Sequence, residues 1–317
     1  MLSPLPYPVG RLAPSPTGAQ HVGNARTYLI AWLSARAHRG SIALRIEDID
    51  SPRVKPGAAD SILVDLRWLG LDWDAGPVVQ SQRMPLYEAA LVRLREMELV
   101  YPCTCTRTDV ASAASAPHLE HEGYVYPGTC ADRRAADADG LVCRPFAWRF
   151  RVADSPFFID RYRGPVGIDL KALGGDFVVW KSDGTPAYQL AGVVDDAAMG
   201  ITEVVRGDDL LSSTPRQLLL YRALEYKPPS FVHVPLVIGP DGRRLAKRHG
   251  DTRLAALRDS GVVAEALIGL LAWSCGWLAA PRPIAACELV PLFRLDSIPR
   301  VPFALTADAL KQIGYAA

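Results

Sequence analysis

Between Val9 and Leu69 the chain alternates short apolar runs with helical stretches, and this alternation limits its fold more than any other feature. Val9 to Ala13 has the length of a short strand. Behind it, Pro14-Ser15-Pro16-Thr17-Gly18 can only be a turn or loop, because the prolines fix φ and withhold backbone donors. From Gly23 onward, Ala25, Leu29, Trp32 and Leu33 recur at helical spacing until Gly40 ends the run. Ile42, Leu44 and Ile46 then alternate with Ala43, Arg45 and Glu47, a strand whose polar groups emerge near its carboxyl end. Ala58 to Leu69 reads as a helix with Ile62, Leu66 and Leu69 on one face. The succession predicts an α/β fold, a mainly parallel sheet with helices on both faces, and such sheets bind ligands beyond the carboxyl ends of their strands.

The pattern changes from Tyr101 to about Phe150, where cysteines, turns and an Ala/Asp-rich run at Ala131 to Gly140 mark an insertion. Parallel-sheet character is expected again at Phe177 to Trp180 and at Ile201 to Val205, and Phe231 to Ile238 reads as a further strand. The turn Gly239-Pro240-Asp241-Gly242 presents Arg243, Arg244, Lys247 and Arg248, and beyond Asp251 the pattern is helical to the end. Residues 1–100 and 195–250 are thus expected to form the two halves of the sheet domain, 101–194 an inserted subdomain, and 251–317 a C-terminal helical portion.

Composition narrows the class. With 49% hydrophobic and 22% charged residues, the chain lies well away from disordered sequences. A formal net charge of +1 means that any nucleic acid must be met by locally gathered basic groups, and DNA is not an expected partner. Val262 to Ala280 is the nearest approach to a membrane span, but Glu265 interrupts it, and Trp273, Ser274 and Gly276 suit a buried helix; no membrane partner is expected. Met1 to Gly18 lacks a basic leader with an apolar run, so a cytoplasmic location and six reduced cysteines are expected.

Four constellations carry potential chemistry. Arg11 and Ser15, then Gly18, His21, Gly23 and Asn24, lie between a strand and a helix, where backbone N–H groups and an imidazole suit phosphate oxygens. Arg45, Glu47, Asp48 and Asp50 cluster at a strand end, where a carboxylate can hold a substrate ammonium. Asp195 and Asp196 precede Arg206 in Glu203 to Asp209, with Tyr188 upstream, and an arginine fork there suits a carboxylate. Arg244, Lys247 and Arg248 form a basic loop able to close over a polyphosphate, where a lysine can neutralise charge developing on a phosphoryl group. Each pattern alone has a plain structural reading as a turn, a surface ion-pair cluster, a helix cap or a solvated loop. Cys103, Cys105 and Cys130 offer three thiolates for a tetrahedral zinc site, with Tyr126, His118 and His121 as rival fourth ligands. Cys143, Cys275 and Cys287 stand alone and read as buried small hydrophobes.

In order along the chain, Ala13-Pro-Ser-Pro-Thr-Gly18, His21-Val-Gly-Asn24, Arg45-Ile-Glu-Asp48, Val204-Val-Arg-Gly207 and Arg244-Leu-Ala-Lys-Arg248 resemble the glutamyl branch of the class I aminoacyl-tRNA synthetases. The resemblance spans roughly Gly10 to Asp251 and implies a Rossmann-like catalytic sheet. Within the branch the chain looks most similar to the truncated subgroup that glutamylates queuosine in tRNA(Asp): it stops soon after the catalytic core, and Cys-Thr-Cys with Tyr-x-x-x-Cys resembles that subgroup's zinc site. This likeness implies that Arg11, Leu12, Ala13, Pro14, Ser15, Glu47, Tyr188 and Arg206 hold L-glutamate. It implies that His21, Gly23, Asn24 and Lys247 hold ATP with its magnesium, His21 and Lys247 being catalytic. Structural zinc would sit on Cys103, Cys105, Tyr126 and Cys130, and tRNA(Asp) bearing queuosine would be the acceptor. The chain departs from the family pattern at Asn24 in place of a histidine, Arg244 in place of a lysine and Ala246 in place of a serine, and the stretch from Cys105 to Tyr126 is long for the subgroup.

Overall fold

A computed structural model describes residues 7–49, 54–113, 125–141, 144–243, 245 and 251–315. The first half follows the predicted alternation: β1 (Val9–Leu12), α1 (Val22–Arg36), β2 (Ser41–Ile46), α2 (Ala58–Trp68), β3 (Ala75–Val79) and α3 (Met84–Glu96). β2 pairs in parallel with β1 on one side and with β3 on the other. The next elements are β4 (Val100–Cys103), α4 (Arg107–Ala113), β5 (Ala147–Phe150), β6 (Phe158–Asp160), β7 (Gly164–Val166), α5 (Leu170–Leu173) and β8 (Phe177–Trp180). Here the pairing is antiparallel, in a β4-β5-β8 sheet and a β6-β7 hairpin. Parallel character therefore does not return at Phe177 to Trp180. That run is a buried strand of the antiparallel sheet, and a four-residue apolar strand carries no mark of its partner's direction.

The parallel sheet resumes after α6 (Tyr188–Ala198), with β9 (Glu203–Gly207), α7 (Ser213–Ala223) and β10 (Ser230–Val234). β9 pairs in parallel with β10 and lies beside β1, where Thr202 N donates to Val9 O at 3.0 Å. The order β3-β2-β1-β9-β10 therefore reverses direction between β1 and β9, the switch point at which doubly wound sheets bind ligands. The apolar faces of α1 and α2 and the inner strands form one core; Leu29, Ile30, Leu33, Ile42 and Leu44 are wholly buried there.

The expected strand Phe231 to Ile238 is broken by Pro235, which leaves β10 and a separate β11 (Val237–Ile238). Nor is the C-terminal region helical throughout. α8 (Leu254–Asp259) and α9 (Ala264–Ser274) are followed by an irregular stretch with 3-10 turns and by β12 (Phe303–Ala304), which pairs with β11, before α10 (Ala307–Gln312). Prolines at 281, 283, 291 and 299 withhold the donors a longer helix would need. α9 is mostly buried, as expected for Val262 to Ala280, although Trp273 reaches the surface. Among the described residues no helix is long and apolar enough to cross a membrane. Cys275 is buried as predicted, Cys287 is exposed instead, and Cys143 lies outside the described residues.

Candidate active site

A cavity of about 610 Å³ opens at the β1/β9 switch point. It is lined by Arg11, Ala13, Ser15, His21, Gly23, Asn24, Glu47, Tyr188 and Arg206, so residues from four separated stretches of sequence share one space. Leu12 and Pro14 do not line it: Leu12 is in the core, and Pro14 is buried with its carbonyl accepting from Glu47 N at 2.9 Å. Of the basic loop only Leu245 is placed at the rim; Arg244, Lys247 and Arg248 lie outside the described residues, as does Asp50.

The amino end of α1 forms one wall. His21 is its N-cap, and its Nδ1 accepts from Gly23 N at 3.1 Å while Asn24 Oδ1 accepts from His21 N at 3.1 Å. A Cβ on residue 23 would stand 2.9 Å from His21 Cε1, so glycine is what allows the ring to fold back over the helix. Because Nδ1 is an acceptor, the ring is neutral with its proton on Nε2, and burial lowers its pKa in the same direction. The helix end thus differs from a bare anion site. Val22 N is taken by Thr252 O and Gly23 N by His21, which leaves an imidazole N–H and the Asn24 amide as donors.

Arg11 and Glu47, which line the cavity, are tied into a buried ion-pair network. Arg45 engages Glu47 Oε1 at 2.9 Å and Asp196 Oδ1 at 2.6 Å, and Asp195 lies 3.7 Å away. Arg11 Nε is 3.3 Å from Asp196 Oδ1, without the alignment of a hydrogen bond, and Arg83 pairs with Asp195 at 2.7 Å. Burial disfavours Arg45's charge, yet Asp196, Glu47 and Asp195 raise its pKa well above the ordinary value; burial likewise opposes the Asp196 carboxylate, which Arg45 and Arg11 stabilise. Among the described residues these ion pairs set three guanidinium groups against three carboxylates.

Arg206 stands apart. It is 5% exposed, and its Nε donates to His233 Nε2 at 2.9 Å and one terminal nitrogen to Thr214 Oγ1 at 2.8 Å, with the Tyr188 hydroxyl at 3.5 Å. Among the described residues no carboxylate touches it, and burial lowers its pKa. Asp196 acts on it only through space, and a buried cation without a carboxylate in contact is costly unless a ligand supplies the opposite charge. His233, Thr214 and Asp160 behind it were not anticipated; the one sequence signal was a histidine in the apolar run Phe231 to Val234.

The second cluster lies in the insertion. The sulfurs of Cys103, Cys105 and Cys130 are all within 4.8 Å of one another, and Cys105 and Cys130 are 3.7 Å apart. Four thiolate-type donors at about 2.3 Å from a tetrahedral zinc would lie about 3.8 Å apart, so the three fit such an ion. The Tyr126 hydroxyl is 3.4 Å from Cys103 Sγ and accepts from Cys130 N at 2.8 Å, which places it at the cluster. His118 and His121 lie outside the described residues. Burial opposes the Cys130 thiolate, but the Thr104 backbone and the Tyr126 and Cys105 side chains bring its pKa down to about 7.

Comparison with known proteins identifies the family. The family model for class I tRNA synthetases (E and Q), catalytic domain, matches residues 9–281. A glutamyl-Q tRNA(Asp) synthetase of Symbiobacterium thermophilum is 50% identical over 95% of this chain and 97% of its own, and one of Rhodopirellula baltica is 54% identical over 84% and 85%. The crystal structure of a glutamate tRNA ligase from Elizabethkingia meningosepticum, in complex with its amino acid, superposes with a TM-score of 0.82 at 27% identity, over 97% of this chain and 68% of that one. The chain belongs to the class I aminoacyl-tRNA synthetases of the glutamyl and glutaminyl kind, a family of ligases.

Proposed function

We propose that the cavity binds L-glutamate and ATP together and joins them as glutamyl-adenylate without needing tRNA. The observation that carries this reading is the pairing of Glu47 with Arg206 in one cavity: a carboxylate for an ammonium, and a guanidinium that no carboxylate touches among the described residues for a side-chain carboxylate. Arg45 engages Glu47 through Oε1, and among the described residues the second oxygen is left to the ammonium. Arg11, Ala13 and Ser15 border the same space and would fix the α-carboxylate, with Tyr188 against the side chain. Two backbone positions, Leu12 and Pro14, would act only by shaping this loop.

An α-carboxylate oxygen then attacks the α-phosphorus of ATP, and the bond to pyrophosphate breaks. ATP enters as its magnesium complex against His21, Gly23 and Asn24. The His21 Nε2–H and the Asn24 amide donate to phosphate oxygens, and Lys247 neutralises the leaving charge. A ribose or ring hydroxyl of the RNA next attacks the activated acyl carbon and AMP leaves. Cys103, Cys105 and Cys130, with Tyr126 as fourth donor, would hold zinc, which when bound cross-links an insertion whose own cluster of buried side chains is small.

For the acceptor we infer queuosine in the anticodon of tRNA(Asp), in the cytoplasm. Four relatives bearing that activity in their names are 46–54% identical, against 41–43% for four glutamate tRNA ligases. Labelled glutamate offered with tRNA(Asp) carrying queuosine, tRNA(Asp) lacking it and tRNA(Glu) tests the reading. Label is expected on the first alone; label on tRNA(Glu) alone would assign the chain to ordinary tRNA charging. Metal analysis should find one zinc per chain, lowered in Tyr126→Phe and retained in His118→Ala and His121→Ala.

A further inference from the structure

We propose that His233 is the positioning residue for Arg206, held by Asp160 as a neutral acceptor so that the guanidinium is locked in place and its charge is left for a ligand carboxylate. This inference rests on the reading of Arg206 as the group that receives the glutamate side chain.

The register of β9 and β10 sets Arg206 opposite His233 on adjacent parallel strands, so their side chains share a face. The direction of each hydrogen bond then fixes the tautomer. Arg206 Nε can only donate, so His233 Nε2 must accept, and the ring proton belongs on Nδ1. Nδ1 lies 2.7 Å from Asp160 Oδ2, where that proton has an acceptor. Asp160 is itself fixed at the end of β6, its Oδ1 accepting from Tyr162 N at 2.9 Å and Arg163 N at 2.7 Å. Thr214 completes the cradle, accepting from Arg206 at 2.8 Å and reaching His233 Nε2 at 3.1 Å.

The relay is sealed from water: His233 is 0% exposed and Asp160 1%. Phe231 stacks on the imidazole at a centroid distance of 6.2 Å and lies under the guanidinium at 5.4 Å. The chemistry of the partners matters as much as their geometry. Had a carboxylate occupied the place of His233, it would have fixed Arg206 equally well but cancelled its charge, and the site would distinguish a carboxylate from a carboxamide poorly. A neutral imidazole fixes the fork without quenching it. Asp160, which carries the negative charge, is held one ring away. The hairpin of the insertion thereby sets the orientation of a side chain in the catalytic cavity.

The test measures KM for glutamate and for ATP separately in pyrophosphate exchange, with glutamine as competitor. His233→Asn keeps a donor toward Asp160 and loses the acceptor for Arg206. His233→Gln keeps an acceptor at the Nε2 position. The asparagine variant should raise KM for glutamate about tenfold, the size of one charge-assisted hydrogen bond, with KM for ATP unchanged, and the glutamine variant should restore most of the loss. In the unaltered protein, the imidazole nitrogen shifts of His233 should report a neutral ring protonated on Nδ1, a readout that does not depend on any variant folding. An Nε2-protonated or doubly protonated ring overturns the proposal, as does an unchanged KM for glutamate in His233→Asn or a parallel rise in both KM values. Arg206→Met separates the two levels. If that variant keeps its KM for glutamate, the reading of Arg206 fails and the inference with it; if it loses glutamate binding while His233→Asn does not, only the inference fails.

Discussion

Arg45 and Arg206 are buried to almost the same degree, at 1% and 5% exposure, yet they are wired in opposite ways. Arg45 sits between β2 and α6 among Glu47, Asp195 and Asp196, and those carboxylates raise its pKa against the pull of burial. Arg206 sits between β9, α7 and β10 among a neutral imidazole and two hydroxyls, and burial lowers its pKa. One guanidinium is satisfied by the fold. The other is oriented by the fold and left with charge to spare. What marks a binding arginine in a buried site is therefore the neutrality of its fixed partners, more than exposure or proximity to a cavity.

Removing each cation in turn should have opposite consequences. Arg45→Met leaves Asp195 and Asp196 buried with less countercharge, and should cost about 3–5 kcal/mol in a urea titration. Arg206→Met should leave the same titration nearly unchanged, because no carboxylate among the described residues loses a contacting ion pair. The functional effects should be reversed in character: folded Arg206→Met should lose roughly 100- to 1000-fold in glutamate-dependent pyrophosphate exchange, the worth of a two-pronged charged contact. Equal destabilisation by both substitutions would erase the distinction.

A smaller effect is expected at the nucleotide wall. Gly23→Ala places a Cβ 2.9 Å from His21 Cε1, which forces the ring off its cap and should raise KM for ATP about tenfold while sparing KM for glutamate. A rise in KM for glutamate instead would mean that His21 and Arg206 do not serve separate substrates.

Smallest is the pH response. Burial pushes the pKa of both His21 and His233 below the ordinary 6.5, with Asp160 partly opposing this at His233. The unfolded chain therefore takes up protons near pH 6.5 that the folded chain refuses. Their contribution to stability is complete above that value and is lost as pH falls below it toward the folded pKa values. Urea midpoints should decline from pH 7 to pH 5, and less so in His233→Gln; a rise over that interval would contradict neutral rings in the folded state.

Legibility in the sequence divided along physical lines. The units β1 to α2 were readable because their apolar spacing is regular and prolines and glycines punctuate them. The cavity residues were readable because they cluster at strand ends. β8 was misassigned because four apolar residues look the same in either pairing direction, and the proline-rich stretch after α9 was overextended as helix. The support behind Arg206 was out of reach, since Asp160, Arg206 and His233 meet only through the β9–β10 register and the β6 hairpin. Spacing along the chain carries no trace of either. Asn24 illustrates a middle case: its place at the cavity was expected, but its side chain also caps the helix through His21 N.

Glutamate selection depends on a buried guanidinium that demands an anion beside a carboxylate that takes an ammonium. Pyrophosphate exchange with ATP in the absence of tRNA, run with L-glutamate and with L-glutamine, tests this most directly. Exchange with glutamate and none with glutamine at the same concentration is the predicted result. Equal exchange with both amino acids, or exchange with neither, would contradict it.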